Sequence, residues 1–110
     1  MRDDEREQTR KDFGSSVNMT AATLEKWLDS DESKEVGDKS SGESTGHASG
    51  RRIVSLLRKK RDDLTEADFE HMRKVVGYVH RHLAQRPGGE VEDSRWRYSL
   101  MNWGHDPLKQ

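Results

Sequence analysis

The apolar residues of this chain fall into four stripes at helical spacing, separated by polar and glycine-rich stretches. The first follows Thr20, a good N-cap residue. Met19 precedes it and Leu24 lies at the fourth helical position, the arrangement of a hydrophobic staple. Leu24, Trp27 and Leu28 continue this helix, which is expected to reach Val36 with Gly37 just past its end. The second stripe is Ile53, Leu56 and Leu57, on a helix from Arg51 to Arg61 that Ser49 can cap. The third has the clearest start: Thr65 as N-cap, Glu66 and Asp68 in the first turn, and Leu64 facing Phe69. Phe69, Met72, Val76, Val79 and Leu83 then mark one long helix, ending before Arg86-Pro87-Gly88-Gly89. In the fourth, Asp93 or Ser94 caps a short helix carrying Trp96, Leu100 and Trp103, with Gly104 as its stop.

Two stretches lack such a pattern. Residues 1–18 are charged and almost without apolar anchors, which predicts a disordered or fraying acidic arm. Residues 37–50, GDKSSGESTGHASG, hold four glycines and four serines, which predicts a flexible loop. No segment alternates as a strand does. The expected architecture is therefore all-α: about four helices in a single domain over residues 19–110, interrupted by the 37–50 loop. The fourteen stripe residues named above from Leu24 onward, Leu64 excepted, are its expected core.

Composition narrows the possibilities. Hydrophobic residues are 29% of the 110 and charged residues 37%, so only part of the chain can be packed. With no cysteine, disulfides and thiolate zinc sites are excluded. Met1–Lys11 has no apolar segment of the secretory kind, and no stretch is long and apolar enough to span a bilayer. A cytoplasmic location is expected.

Charge changes the picture most. Residues 1–50 carry seven Lys and Arg against twelve Asp and Glu; residues 51–110 carry thirteen against nine. Within the basic half, Arg51, Arg52, Arg58, Lys59, Lys60 and Arg61 occupy eleven residues that contain no acid. Arg51, Arg52, Arg58 and Lys59 fall opposite the apolar stripe. A second basic stretch, Arg73–Arg86, has Lys74, Tyr78, Arg81 and Gln85 on one stripe and His71, Val75, Tyr78 and His82 on the next. Clustered cations are what phosphate neutralisation and counterion release require, and a tyrosine among them offers a stacking surface. The plainer reading of both stretches is a solvated helix back, with Tyr78 at the edge of the core. A helix-turn-helix is disfavoured, because Glu66, Asp68 and Glu70 would stand where a recognition helix meets DNA. Gly77, inside the long helix, predicts close approach by another helix or a tryptophan.

Catalytic patterns are weak. His80 and His82 point in different directions on one helix, and Ser49 misses the G-x-S-x-G pattern by one place. The glycine-rich run before Arg51 is not a P-loop, although it could seat an anion at a helix start. No enzyme activity, cofactor, metal or small-molecule substrate is expected.

The segments LEKWLDSDESKEVG, GHASGRRIV, HMRKVVGYVHRHLAQRP and SRWRYSLMNWGHDPLK resemble a bacterial, mainly actinobacterial, family of short proteins, domain-of-unknown-function family 3140. The resemblance begins near Leu24 and leaves out the arm before Met19. Members are sometimes labelled DNA-binding, and the resemblance implies no catalytic or binding residues. From residues and resemblance together, the expected function is non-catalytic binding of DNA, or less directly RNA, through phosphates and with little sequence specificity. The nine residues expected to carry it are Arg51, Arg52, Arg58, Lys59, Lys60, Arg61, Arg73, Lys74 and Arg81. The alternative is an interaction or stress-related adaptor module whose basic face meets an acidic protein.

Overall fold

The computed structural model describes residues 1–36 and 44–109. Among them are six α-helices, two more than expected: α1 Asp3–Ser16, α2 Ala21–Leu28, α3 Asp31–Glu35, α4 Thr45–Arg58, α5 Glu66–Leu83 and α6 Arg95–Asn102. A single 3₁₀ turn, Arg61–Asp63, joins α4 to α5. No strand occurs among the described residues.

The first additional helix replaces the expected arm. Asp3, Asp4 and Glu5 suit the positive end of the α1 dipole, and Thr9, Phe13 and Ser16 are buried as the helix packs on α5. One aromatic anchor suffices because ionic contacts assist it: Arg6 donates to Glu66 at 2.8 Å and lies over the Phe69 ring at 5.5 Å.

The second arises because the helix expected from Thr20 to Val36 is two helices. The Ser30 hydroxyl closes α2 by donating to the Trp27 carbonyl at 2.6 Å and opens α3 by accepting from the Ser33 N–H at 3.2 Å. Asp31 and Glu32 in the first turn of α3 reinforce that start.

The expected 37–50 loop is also corrected, as far as it is described. Ser44, not Ser49, is the N-cap of α4; its hydroxyl accepts from the His47 N–H at 3.1 Å. Thr45–Gly50 are thus helical, and residues 37–43 lie outside the described residues. The glycines here serve packing. A Cβ on Gly50 would fall 2.5 Å from the Asn102 carbonyl oxygen and 2.7 Å from Leu28 Cδ2. Glycine at this position lets α4 touch the end of α6 and the side of α2.

The starts of α5 and α6 follow the sequence reading. Thr65 and Asp68 form a reciprocal capping box, and Ser94 accepts from the Arg97 N–H. Gly104, φ +82°, is the left-handed stop after α6, packed against Val17 and Ile53. Of the expected core, Leu24, Leu28, Ile53, Leu56, Phe69, Met72, Val79, Trp96, Leu100 and Trp103 are buried, while Trp27, Leu57, Val76 and Leu83 flank them half-buried. Phe13, Val17, Val54, Val75 and Val91 join the same cluster.

The seam between α5 and α6 is built from rings. His71, Tyr78 and His82 of α5 stack with Trp103 and Trp96 at the two ends of α6, in the order His71, Trp103, Tyr78, His82, Trp96. Centroids are 6.4 Å apart for His71–Trp103, 4.2 Å for Trp103–Tyr78, 5.1 Å for Tyr78–His82 and 6.2 Å for His82–Trp96. All four pairs are within 16° of parallel, and Arg86 lies over the outer ring at 5.4 Å.

Side chains also close several helix ends, whose last carbonyls lack intrahelical partners. His105 Nδ1 lies 2.7 Å from the Ser16 carbonyl, His47 Nε2 2.7 Å from that of Leu28, and the Trp96 indole donates to His82 O at 2.7 Å. A carbonyl only accepts, so each of these imidazole nitrogens bears the proton. Asn102, 1% exposed, accepts from the Trp27 indole and the Ser33 hydroxyl and donates to the Ser33 carbonyl. It ties α2 and α3 to α6.

Candidate nucleic-acid interface

The nine cations expected to bind phosphate divide into two groups. Arg58, Lys59, Lys60 and Arg61 gather at the C-terminal end of α4. Lys74 and Arg81 border the hollow at its N-terminal end, beside Thr45 and Gly46. Arg52, midway along α4, stands between them, near enough to His71 to act on its imidazole together with Lys74.

The first group is largely engaged within the protein. Arg58 grips both carboxylate oxygens of Glu25, at 2.9 and 3.3 Å. That hydrogen bond holds the Glu25 carboxyl below its usual range and raises the guanidinium. Arg61 donates to Glu7 at 2.6 Å. Lys59 donates to Asp68 at 2.6 Å, and Arg52 lies 3.6 Å from the same carboxylate while donating to Ala67 O. Asp68 is buried, and burial alone would raise its carboxyl. Hydrogen bonds from Lys59, the Thr65 backbone and the Thr65 side chain reverse this and set it at about 2. Arg51 borders a hollow between α2 and α4 with Glu25, Asp29 and His47. Lys60 is exposed in the turn, with no ion-pair partner among the described residues.

The second group differs. Arg73, Lys74 and Arg81 are exposed on α5, and none has an ion-pair partner among the described residues. The face between α5 and α6 corrects the reading of one stripe and bears out the plainer reading of Tyr78 as an edge-of-core residue. The stripe His71, Val75, Tyr78 and His82 is the inner seam, not part of a polar surface. Tyr78 is stacked by Trp103 and by His82, which leaves it no ring face for a base.

Gly77 is the other departure. Among the described residues no helix or tryptophan approaches it closely. The nearest atom to a Cβ there would be the guanidinium nitrogen of Arg81, at 3.1 Å. Gly77 instead borders a hollow between α1 and α5, shared with Glu5, Gln8, Thr9, Asp12, Arg73 and Val76.

One pair has the spacing of a nucleophile and its base: Ser49 Oγ lies 3.0 Å from His71 Nε2. Ser49 is 5% exposed and belongs to none of the hollows described here. Together with Trp103 over the imidazole, the pair fastens α4 and α5 to the end of α6. Burial, first, and the charges of Arg52 and Lys74 lower the His71 imidazole and favour its neutral form. Among the described residues no three His, Asp or Glu side chains gather as a metal site, and no helix is long and apolar enough to cross a membrane.

Several residues of SRWRYSLMNWGHDPLK make structural contacts: Asn102 with α2 and α3, Gly104 and His105 with the end of α1, and Arg97 with both carboxylate oxygens of Asp106 at 3.1 Å. No curated protein and no solved structure matches the chain. A family described as "protein of unknown function (DUF3140)" matches residues 12–101, from within α1 nearly to the end of α6. The chain belongs to that family.

Proposed function

We propose that the protein binds nucleic acid, DNA foremost, through backbone phosphates, and that α5 is the contacting helix. The observation that carries this reading is the exposure of Arg73, Lys74 and Arg81 on one 18-residue helix without ion-pair partners among the described residues. No acid lies between His71 and Gly89, so nothing on this stretch opposes a phosphate. The cations at the end of α4 contribute less, since Arg58, Lys59 and Arg61 would first have to leave Glu25, Asp68 and Glu7. Phosphate contacts carry no sequence information, and the stacked Tyr78 adds none, so specificity for sequence is low.

Fluorescence anisotropy of a labelled 20-base-pair duplex tests the reading. Binding at low salt that weakens steeply as salt is added is expected. A flat titration at the lowest salt at which the protein stays soluble excludes it.

A further inference from the structure

We infer that the hollow enclosed by the start of α4, the middle of α5 and the end of α6 is a binding site for a single phosphate group. It has a volume of about 330 Å³, and its walls include Gly46, Lys74, Tyr78, Arg81, Ser99 and Trp103. No carboxylate is among the described residues that line it. Two cations therefore face a concavity rich in donors and without a described counter-charge.

The indole of Trp103 gives the second, independent indication. Trp103 is 4% exposed, yet its Nε1–H has no acceptor among the described residues. The other two indoles are satisfied: Trp27 donates to Asn102 and Trp96 to the His82 carbonyl. This nitrogen is not among the buried polar atoms that lack a partner, so on a residue that lines the hollow the N–H is open to solvent, and an anion there would replace water as its acceptor. Gly46 keeps this donor uncovered. A Cβ there would lie 3.1 Å from Trp103 Nε1, so the donor edge of the indole sits against the first turn of α4. That turn is the positive end of a 14-residue helix, which adds to the field of Lys74 and Arg81.

Lys74 and Arg81 belong also to the proposed nucleic-acid surface, but the two readings stand separately. One is a concave site for one phosphate, the other an exposed stripe for a backbone.

The test follows the three indole N–H resonances of the ¹⁵N-labelled protein as sodium phosphate replaces sodium chloride at constant ionic strength. One indole is expected to move downfield and saturate, and to be that of Trp103. Its assignment comes from Trp27→Phe and Trp96→Phe, which remove the other two peaks, so it does not depend on Trp103→Phe folding. Lys74→Gln with Arg81→Gln, both at exposed positions, should weaken the response about tenfold or more. A comparison of ribose 5-phosphate with a 5′-phosphorylated tetranucleotide then separates a small ligand from a strand end. Absence of a saturable shift, equal drift of all three indoles, or a shift unchanged by the double substitution overturns the site. Duplex binding without an indole response removes this inference and leaves the proposed function. An indole response without duplex binding does the reverse.

Discussion

Lys59 Nζ meets Asp68 Oδ2 at 2.6 Å, and the same carboxylate oxygen accepts the Thr65 N–H that closes the capping box of α5. One buried carboxylate thus joins the end of α4 to the start of α5. It also withdraws Lys59 from the surface that the sequence alone assigned to it.

Stability should fall in acid through this group. The Asp68 carboxyl is at about 2 in the folded chain against 3.8 without the fold, so its contribution is present above about pH 4 and lost as pH falls toward 2. By linkage that contribution is about 2 kcal/mol. Asp68→Asn should lower stability near neutral pH, and the deficit should shrink between pH 4 and 2. Urea denaturation of both proteins across that range measures it; a constant deficit would rule out the charged pair as its cause.

Gly50→Ala should be destabilising although alanine is the better helix former. The added Cβ would meet the Asn102 carbonyl oxygen at 2.5 Å, and backbone cannot swing aside as a side chain can. A cost of about 1–3 kcal/mol is expected, against a gain of several tenths or more if Gly50 lay in a plain helix interior. The sign of the change in melting temperature decides between the two.

Asn102→Ala removes the acceptor of the Trp27 indole and the Ser33 hydroxyl and strands the Ser33 carbonyl. Loss of about 2–4 kcal/mol is expected, because the remaining groups lose their partners. A loss below about 1 kcal/mol in chemical denaturation would mean that the hub does not hold α2 and α3 to α6.

His82 lies between Tyr78 and Trp96 with its buried Nε2 unpartnered among the described residues. Burial lowers this imidazole. The unfolded chain therefore takes up the proton first, and stability is full above about pH 6.5 and declines below it. His82→Phe keeps a flat ring in the column and removes the stranded nitrogen. It should raise stability by about 1 kcal/mol at neutral pH and by more at pH 5. Thermal melts at the two pH values check both the sign and the trend.

The stripes of α5 and α6 were legible because apolar periodicity and caps agreed there, down to Thr65 and Gly104. The arm and the loop were misread for one reason. Both fold with little apolar material of their own, α1 on Phe13 and ion pairs, the start of α4 on glycines that admit its neighbours. Composition cannot distinguish a glycine that loosens a loop from one that allows a close contact. The Ser30 break did have a local signal, a serine followed by Asp31 and Glu32, but continuous spacing from Leu24 to Leu28 masked it. For the candidate site, the basic runs were visible in sequence. Which cations were already paired was not, because Glu7, Glu25 and Asp68 reach them from three different helices. Trp103 was expected as core in preference to an aromatic binding surface, and its uncovered N–H depends on Gly46, 57 residues away in the chain.

The most direct test of the α5 assignment is the salt dependence of duplex binding for three proteins. They are the parent, an α5 variant (Arg73→Gln, Lys74→Gln, Arg81→Gln) and an α4 variant (Arg58→Gln, Lys60→Gln, Arg61→Gln) that spares Lys59 and so leaves Asp68 paired. Three phosphate contacts predict a log–log slope near −2.7 for the parent. The α5 variant should lose most of that slope and the α4 variant little of it. The reverse pattern, or equal losses in both, would contradict the assignment of phosphate contact to α5.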